Sequence, residues 1–284
     1  MSVRSVVPGS MVSMKTWFIV AVLCELTPAS CATDWGYDDD NGPSVWATTL
    51  NYTTCGSESQ SPVDIVIADC EYDDLGTFTL DGFENEYDGQ EISMENNGHT
   101  VLIHLDGDYF VSGAGLSEYK AHYFHFHWGS DNSQGSEHEI DGDKKAAEFH
   151  LVCYNEDLYG SYTNALGKKG GIAVLGFLIE AGEPNSAFDA LLNEHYNVAN
   201  KDDEYTFTEP FQLLPMFPSD LTRFYRYEGS TTTPPCYENV TWTVFKEVVE
   251  ISEDQLVGIP LYPAILRYAL AMHTGRITPT RSCR

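Results

Sequence analysis

The sequence predicts an α+β fold, one domain built on a large, mostly antiparallel, twisted β-sheet with short helices at its periphery. Three observations predict it. From about residue 75 to 180, short runs of alternating apolar and polar residues follow one another, each bounded by turn residues. Helix signals are few and short. No repeat, low-complexity tract or Gly/Ser-rich linker divides the chain. Its 284 residues, 42% hydrophobic and 13% aromatic, therefore read as one large core behind a leader.

Taken in order, residues 1–32 read as a signal peptide. Lys15 precedes the apolar run Trp17–Cys24, and the small residues Ala29, Ser30 and Ala32 follow. Glu25 and the shortness of the run argue against a membrane span. The domain then occupies 33–284. Removing the leader leaves five cysteines, Cys55, Cys70, Cys153, Cys236 and Cys283, an odd number. Residues 33–65 are turn-rich and carry the glycosylation sequon Asn51-Tyr52-Thr53 in a polar loop. Thr77–Leu80 and Thr100–Leu105 alternate as strands. Gly107-Asp108 predicts a hairpin turn into Tyr109–Val111. Tyr119–Trp128 and Ala146–Tyr154 are further strands, and Gly171–Ile179 is nearly all apolar, as a central strand is. Asn185 or Ser186 caps a short helix through Leu192. Ser252-Glu253-Asp254-Gln255 is a capping box for another, and Val240–Val249 is a late strand.

The charge narrows the function. With 43 acidic and 15 basic residues the formal charge is −28, which disfavours nucleic acid and anionic membranes as partners. It favours solubility, a salty milieu or loose cation binding through the surface. There is no C-x-x-C pair, so zinc-finger and thioredoxin-like readings fail.

The chemistry concentrates in Phe124-His125-Phe126-His127-Trp128. On a strand, His125 and His127 share one face while Phe124, Phe126 and Trp128 take the other. The doublet alone is equally a pair of packed histidines. A catalytic zinc needs three protein ligands and an open position, and His150 on the next strand is the best candidate for the third. Glu148, two residues before His150 and on its face, is placed to orient it; Tyr123 stands in the same relation to His125.

These residues resemble the zinc core of the α-carbonic anhydrase family, in the secreted or extracellular type. The resemblance rests on Phe124–Ser130, Ser136-Glu137-His138 and Ala147–Val152. It extends upstream through Trp35-Gly36-Tyr37, Asn41-Gly42-Pro43, Gln60–Ile65 and Asn96-Asn97-Gly98-His99. Downstream it takes in Ala173–Gly176, Tyr227–Ser230, Thr232–Pro235 and Val240-Thr241-Trp242. It implies Zn2+ as cofactor, with His125, His127 and His150 as ligands. Thr232 matches the threonine that orients the attacking hydroxide, and Glu137 the carboxylate that takes that threonine's proton. Thr233 borders the bicarbonate site. Val152, Val174 and Trp242 match the apolar wall where CO2 rests, and His99 the proton shuttle. Cys55 and Cys236 match a cysteine pair of extracellular members. His138 matches the family's buried hydrogen-bonding histidine. His104, His122, His195 and His273 match nothing and are read as structural.

The implied activity is reversible hydration of CO2 to bicarbonate and a proton. The alternative is a weak or silent relative serving as a binding or acidic, mineral-associated matrix protein. Such relatives typically lack a ligand histidine, and all three are present. The departures from the family pattern are Thr231 for leucine at the pocket mouth, Leu102 and Tyr123 for amides on the hydrophilic wall, and the tail after about residue 260.

Overall fold

The computed structural model describes residues 35–86 and 92–258, with the backbone of 281–283. The signal peptide expected over 1–32 and most of the divergent tail lie outside the described residues. The strands are β1 (Asp64–Ile65), β2 (Cys70–Tyr72), β3 (Phe78–Asp81), β4 (Ile92–Asn96), β5 (Val101–Leu105), β6 (Phe110–Gly113), β7 (Leu116–Trp128), β8 (Glu139–Ile140), β9 (Ala147–Tyr154), β10 (Ile172–Ala181), β11 (Glu204–Thr206), β12 (Phe224–Ser230), β13 (Glu238–Phe245), β14 (Val249–Ile251) and β15 (Arg281–Cys283).

Thirteen of these strands form one sheet. Its main path runs β11-β4-β5-β7-β9-β10-β13-β12-β15-β2, and β3, β6 and β14 pair off it. Most pairs are antiparallel; β10 with β13, β10 with β14, and β15 with β2 are parallel. β1 and β8 form a separate parallel pair. The helices are short and peripheral, as expected: α1 (Pro43–Trp46), α2 (Glu156–Tyr159), α3 (Tyr162–Ala165), α4 (Asp189–Glu194) and α5 (Glu253–Gly258). No helix among the described residues is long and apolar enough to cross a membrane.

Local signals set the helix starts. The Asn185 side chain accepts from the Ala187 N–H at 3.1 Å, opening the turn that leads into α4. At α5 the capping box closes both ways. Ser252 Oγ accepts from the Gln255 N–H at 3.2 Å, and Gln255 Oε1 accepts from the Ser252 N–H at 3.1 Å.

Two strand expectations are corrected. Gly107-Asp108 does not close a hairpin, because β5 and β6 do not pair with each other. Both pair with β7, whose 13 residues offer edge enough for two short strands in tandem. The late strand is two strands, β13 and β14, separated by Lys246-Glu247-Val248.

All of β9 is buried, so each of its faces packs against a layer. One face carries Ala147, Phe149, Leu151 and Cys153 into the larger core. There Phe149 stacks on Phe177 at 4.6 Å, and Phe177 on Phe245 at 4.9 Å. Phe124 and Phe126 of β7 join the same core. The other face carries Val152 and Tyr154 into a second cluster with Val174 and Trp242. The site lies on that second face. Its strands are held from behind by fully buried aromatic rings, each contributing about 1.5–3 kcal/mol of burial.

Candidate metal centre

β7 and β9 pair so that His125 stands opposite His150, and His127 opposite Glu148. A slip of one residue would turn every one of these side chains to the aromatic core, so the buried phenylalanines fix the register. The ring nitrogens that His125, His127 and His150 can offer an ion all lie within 4.8 Å of one another. His125 Nδ1 and His127 Nε2 are buried with no hydrogen-bond partner. An orphaned buried polar atom costs about 1–3 kcal/mol. Three imidazoles offering nitrogens this close, two of their rings carrying a buried nitrogen with no partner, fit a cation, and three histidine nitrogens are a donor set that suits zinc.

The protonation of the three histidines follows from their surroundings. Burial, then the neighbouring imidazoles, holds the pKa of His125 and His127 well below the ordinary histidine value. Burial also lowers His150 against the pull of Glu148. All three are therefore neutral, the form that binds a metal. His150 Nε2 donates to Glu148 Oε1 at 2.7 Å, which leaves Nδ1 of that ring with its lone pair free.

Glu148 is wholly buried and accepts four hydrogen bonds. They come from the Glu137 N–H at 2.9 Å, the His138 N–H at 2.8 Å, His138 Nδ1 at 2.6 Å and His150 Nε2. Burial alone would raise its carboxyl. The two imidazoles and their hydrogen bonds outweigh burial and hold it well below the ordinary carboxylate range. Behind it, His138 Nε2 accepts from the Tyr227 hydroxyl at 2.7 Å, and that oxygen is 2.8 Å from Ser61 Oγ. His138, Glu148 and His150 also converge, but their atoms bond one another and do not form a second metal site.

Glu137 comes from the loop between β7 and β8. Its Oε1 is 3.2 Å from His127 Nδ1 and its Oε2 is 3.7 Å from His150 Nδ1. Burial, then the charge of Glu148, pushes its carboxyl well up, while a hydrogen bond with Thr232 pulls it down. The loop reaches this depth because Gly135 passes close to β9. A Cβ on Gly135 would meet the carbonyl oxygen of Ala146 at 1.7 Å.

Thr232, 7% exposed, sits on the loop after β12. The disulfide Cys55–Cys236 ties that loop to the N-terminal segment. Thr54 Oγ1 also donates to the Pro235 carbonyl, and Ser61 and Ser230 exchange N–H···Oγ bonds at 2.9 and 3.1 Å. The cleft over the histidines encloses about 220 Å³ and is lined in part by His125, His150, Val152, Val174, Thr232, Thr233 and Trp242.

The sequence profile described as eukaryotic-type carbonic anhydrase matches residues 41–261. The chain belongs to this family. It is 36% identical to human carbonic anhydrase 12 over 247 residues, covering 85% of this chain and 68% of that protein. It is 37% identical to mouse carbonic anhydrase 6 over 231 residues, covering 80% of this chain and 72% of that one.

In this carbonic anhydrase the structure gathers most of the residues singled out from the sequence, but not all. Tyr123 does not orient His125. Its hydroxyl is 3.1 Å from that of Tyr162, and His125 Nδ1 is left without a partner. The physical reason is reach: a phenol on this strand projects past the adjacent imidazole to the far wall. His99 is not among the cleft-lining residues; its ring stacks on Trp35 at 3.7 Å and 9°. Thr231 lines the cleft, with its hydroxyl tied within its own loop. Its Oγ1 donates to the Thr233 carbonyl at 3.1 Å and accepts from the Tyr237 N–H at 3.0 Å. Asn51 is exposed. Cys70 is disulfide-bonded, and Cys153 is a buried thiol whose pKa burial pushes up. Tyr162, Leu166 and Tyr237 complete the wall and were missed. They sit on a one-turn helix and in loops, where no periodicity marks a facing direction.

Proposed function

We propose that this chain catalyses the reversible hydration of carbon dioxide to bicarbonate and a proton, on zinc held by His125, His127 and His150. The observation that carries the reading is the converging set of three neutral imidazoles, two of which carry a buried nitrogen with no protein partner. Zinc bound by three uncharged ligands acts as a Lewis acid that brings the pKa of water toward neutrality, as is established for carbonic anhydrase itself. The chain's own residues do the rest. Glu137 accepts a hydrogen bond from the Thr232 hydroxyl, so Thr232 presents its lone pair to the nucleophile and fixes its direction. Val152, Val174 and Trp242 offer an apolar rest for an uncharged substrate, and Thr233 borders the product. His99 carries a proton toward bulk.

Thr232→Ala is expected to lower kcat/KM about 100-fold with zinc content unchanged, and Thr232→Ser to restore most of it. Stopped-flow CO2 hydration with metal analysis reads both. Activity that survives complete removal of zinc by a chelator would defeat the proposal.

An extracellular address goes with this reading. The Cys55–Cys236 bridge and the 1–32 leader support it, with Asn51 as the glycosylated residue. The bridge spans 181 residues, and serine at both positions should cost about 5 kcal/mol by chain entropy. Denaturant unfolding of protein secreted from eukaryotic cells measures that loss. Mass spectrometry of the same sample should find Thr33 at the N-terminus.

A further inference from the structure

We propose that His122, which stands behind the cleft-lining Tyr123 and Tyr162, is a proton-exit group, accepting the proton that CO2 hydration releases and passing it to bulk base. The proposal rests on the catalytic reading above.

Regular alternation would send His122 to the core with Phe124 and Phe126. It does not go there, because β7 carries a bulge. Lys120 pairs with Tyr154 and Ala121 with Cys153, but Val152 pairs with Tyr123, so His122 is the extra residue without a partner on β9. The parity of the strand switches at this point. Tyr119 and Ala121 are in the larger core before it, and Phe124 and Phe126 after it. His122 and Tyr123 therefore project together on the cleft side.

There the His122 ring lies 4.5 Å from that of Tyr162, 5.3 Å from Tyr123 and 5.8 Å from Tyr154. Tyr123 and Tyr162 both line the cleft, and the Tyr123 ring is 5.6 Å from that of His125. Their paired hydroxyls each have one proton to give and lone pairs to accept with, so they pass a proton on without holding net charge. His122 itself is half-buried and makes no hydrogen bond or ion pair among the described residues. Its ring nitrogens are thus available to water.

The groups around it keep it able to accept. Tyr162 of α3, Tyr154 of β9 and Tyr123 are neutral. From β5 comes His104, at 6.5 Å and bonded to Glu95 of β4 at 2.8 Å. Burial first, then His104, lowers the pKa of His122, and Asp106 opposes them. The ring is therefore neutral at physiological pH. In the transfer an O–H bond of a cleft water breaks as its proton passes to the paired tyrosine hydroxyls, which give up a proton of their own through water as an N–H bond forms on His122; a buffer base then takes that proton. Meanwhile the His99 imidazole is stacked flat on Trp35, so a second acceptor has work to do.

The test uses His122→Phe, which keeps a ring against Tyr162 but has no nitrogen. In the zinc-loaded full chain at low buffer, kcat should fall about threefold. In a His99→Ala background it should fall about tenfold. In both, kcat/KM should stay unchanged and imidazole should restore kcat. In addition, 15N NMR of the wild-type histidines should show His122, assigned by its loss in the variant, titrating below the ordinary histidine value. Activity indifferent to His122→Phe in both backgrounds, or a His122 ring that does not titrate between about pH 4 and 8, would overturn the proposal alone. A zinc-loaded wild type without CO2 hydration would overturn the catalytic reading and the proposal with it.

Discussion

His150→Ala is expected to abolish CO2 hydration and zinc retention together. His150 is 1% exposed and stands opposite His125 in the β7–β9 register, so no neighbouring side chain can swing into its place. Its loss leaves two imidazoles, one short of the three protein ligands a catalytic zinc requires. It also strands a Glu148 hydrogen bond in the interior. kcat/KM should drop by more than about 1,000-fold, and dialysed protein should hold no stoichiometric zinc. Metal analysis beside the CO2 assay checks both. A variant that keeps zinc and loses activity would move the role of His150 from ligand to chemistry. One that keeps both would remove it from the site.

The second large effect is expected at Glu148. Glu148→Ala empties the acceptor site of four donors in a place with no solvent, and should destabilise the fold by about 3–5 kcal/mol in urea unfolding. Glu148→Gln is more informative. Its amide oxygen can still serve the Glu137 and His138 N–H groups, which share Oε2, but its NH2 then meets two imidazole N–H donors. Relief requires His150 to move its proton from Nε2 to Nδ1, which removes the lone pair that faces the site. Zinc affinity, measured by competition with a chelator, should fall about 10- to 100-fold while much of the stability is retained.

The pH dependence has a definite sign. The folded Glu148 carboxyl lies well below its unfolded value, so its contribution is complete above the ordinary carboxylate pKa and is lost as pH falls through the folded one. Wild type should therefore lose stability in acid, and Glu148→Gln should lack that part of the slope. Equal acid slopes for the two would show that Glu148 is not held ionised.

Much of this was legible in the sequence for local reasons. The His125/His127 pair, the face of Phe124 and Phe126, the Asn185 cap and the Ser252–Gln255 box depend on residues within a few positions of one another. The family resemblance carried Glu137, Thr232 and the Cys55–Cys236 bridge across long separations that no local rule reaches. What was read wrongly depended on partners. Gly107-Asp108 looks like a hairpin turn, but β5 and β6 each find a better edge on the long β7. Tyr123 looks like a hydrogen-bond partner for His125, but its hydroxyl meets Tyr162, which arrives from a helix 39 residues away.

By itself the sequence determined the fold class, the histidine strand and which of its residues share a face, because alternation and residue type are properties of a short stretch of chain. Only the tertiary structure decided which way His122 points and what surrounds it. A bulge is an agreement between two strands, in which one residue of β7 goes unpaired so that the rest can match β9. That agreement is fixed by packing on both faces of the sheet and leaves no mark in the local sequence.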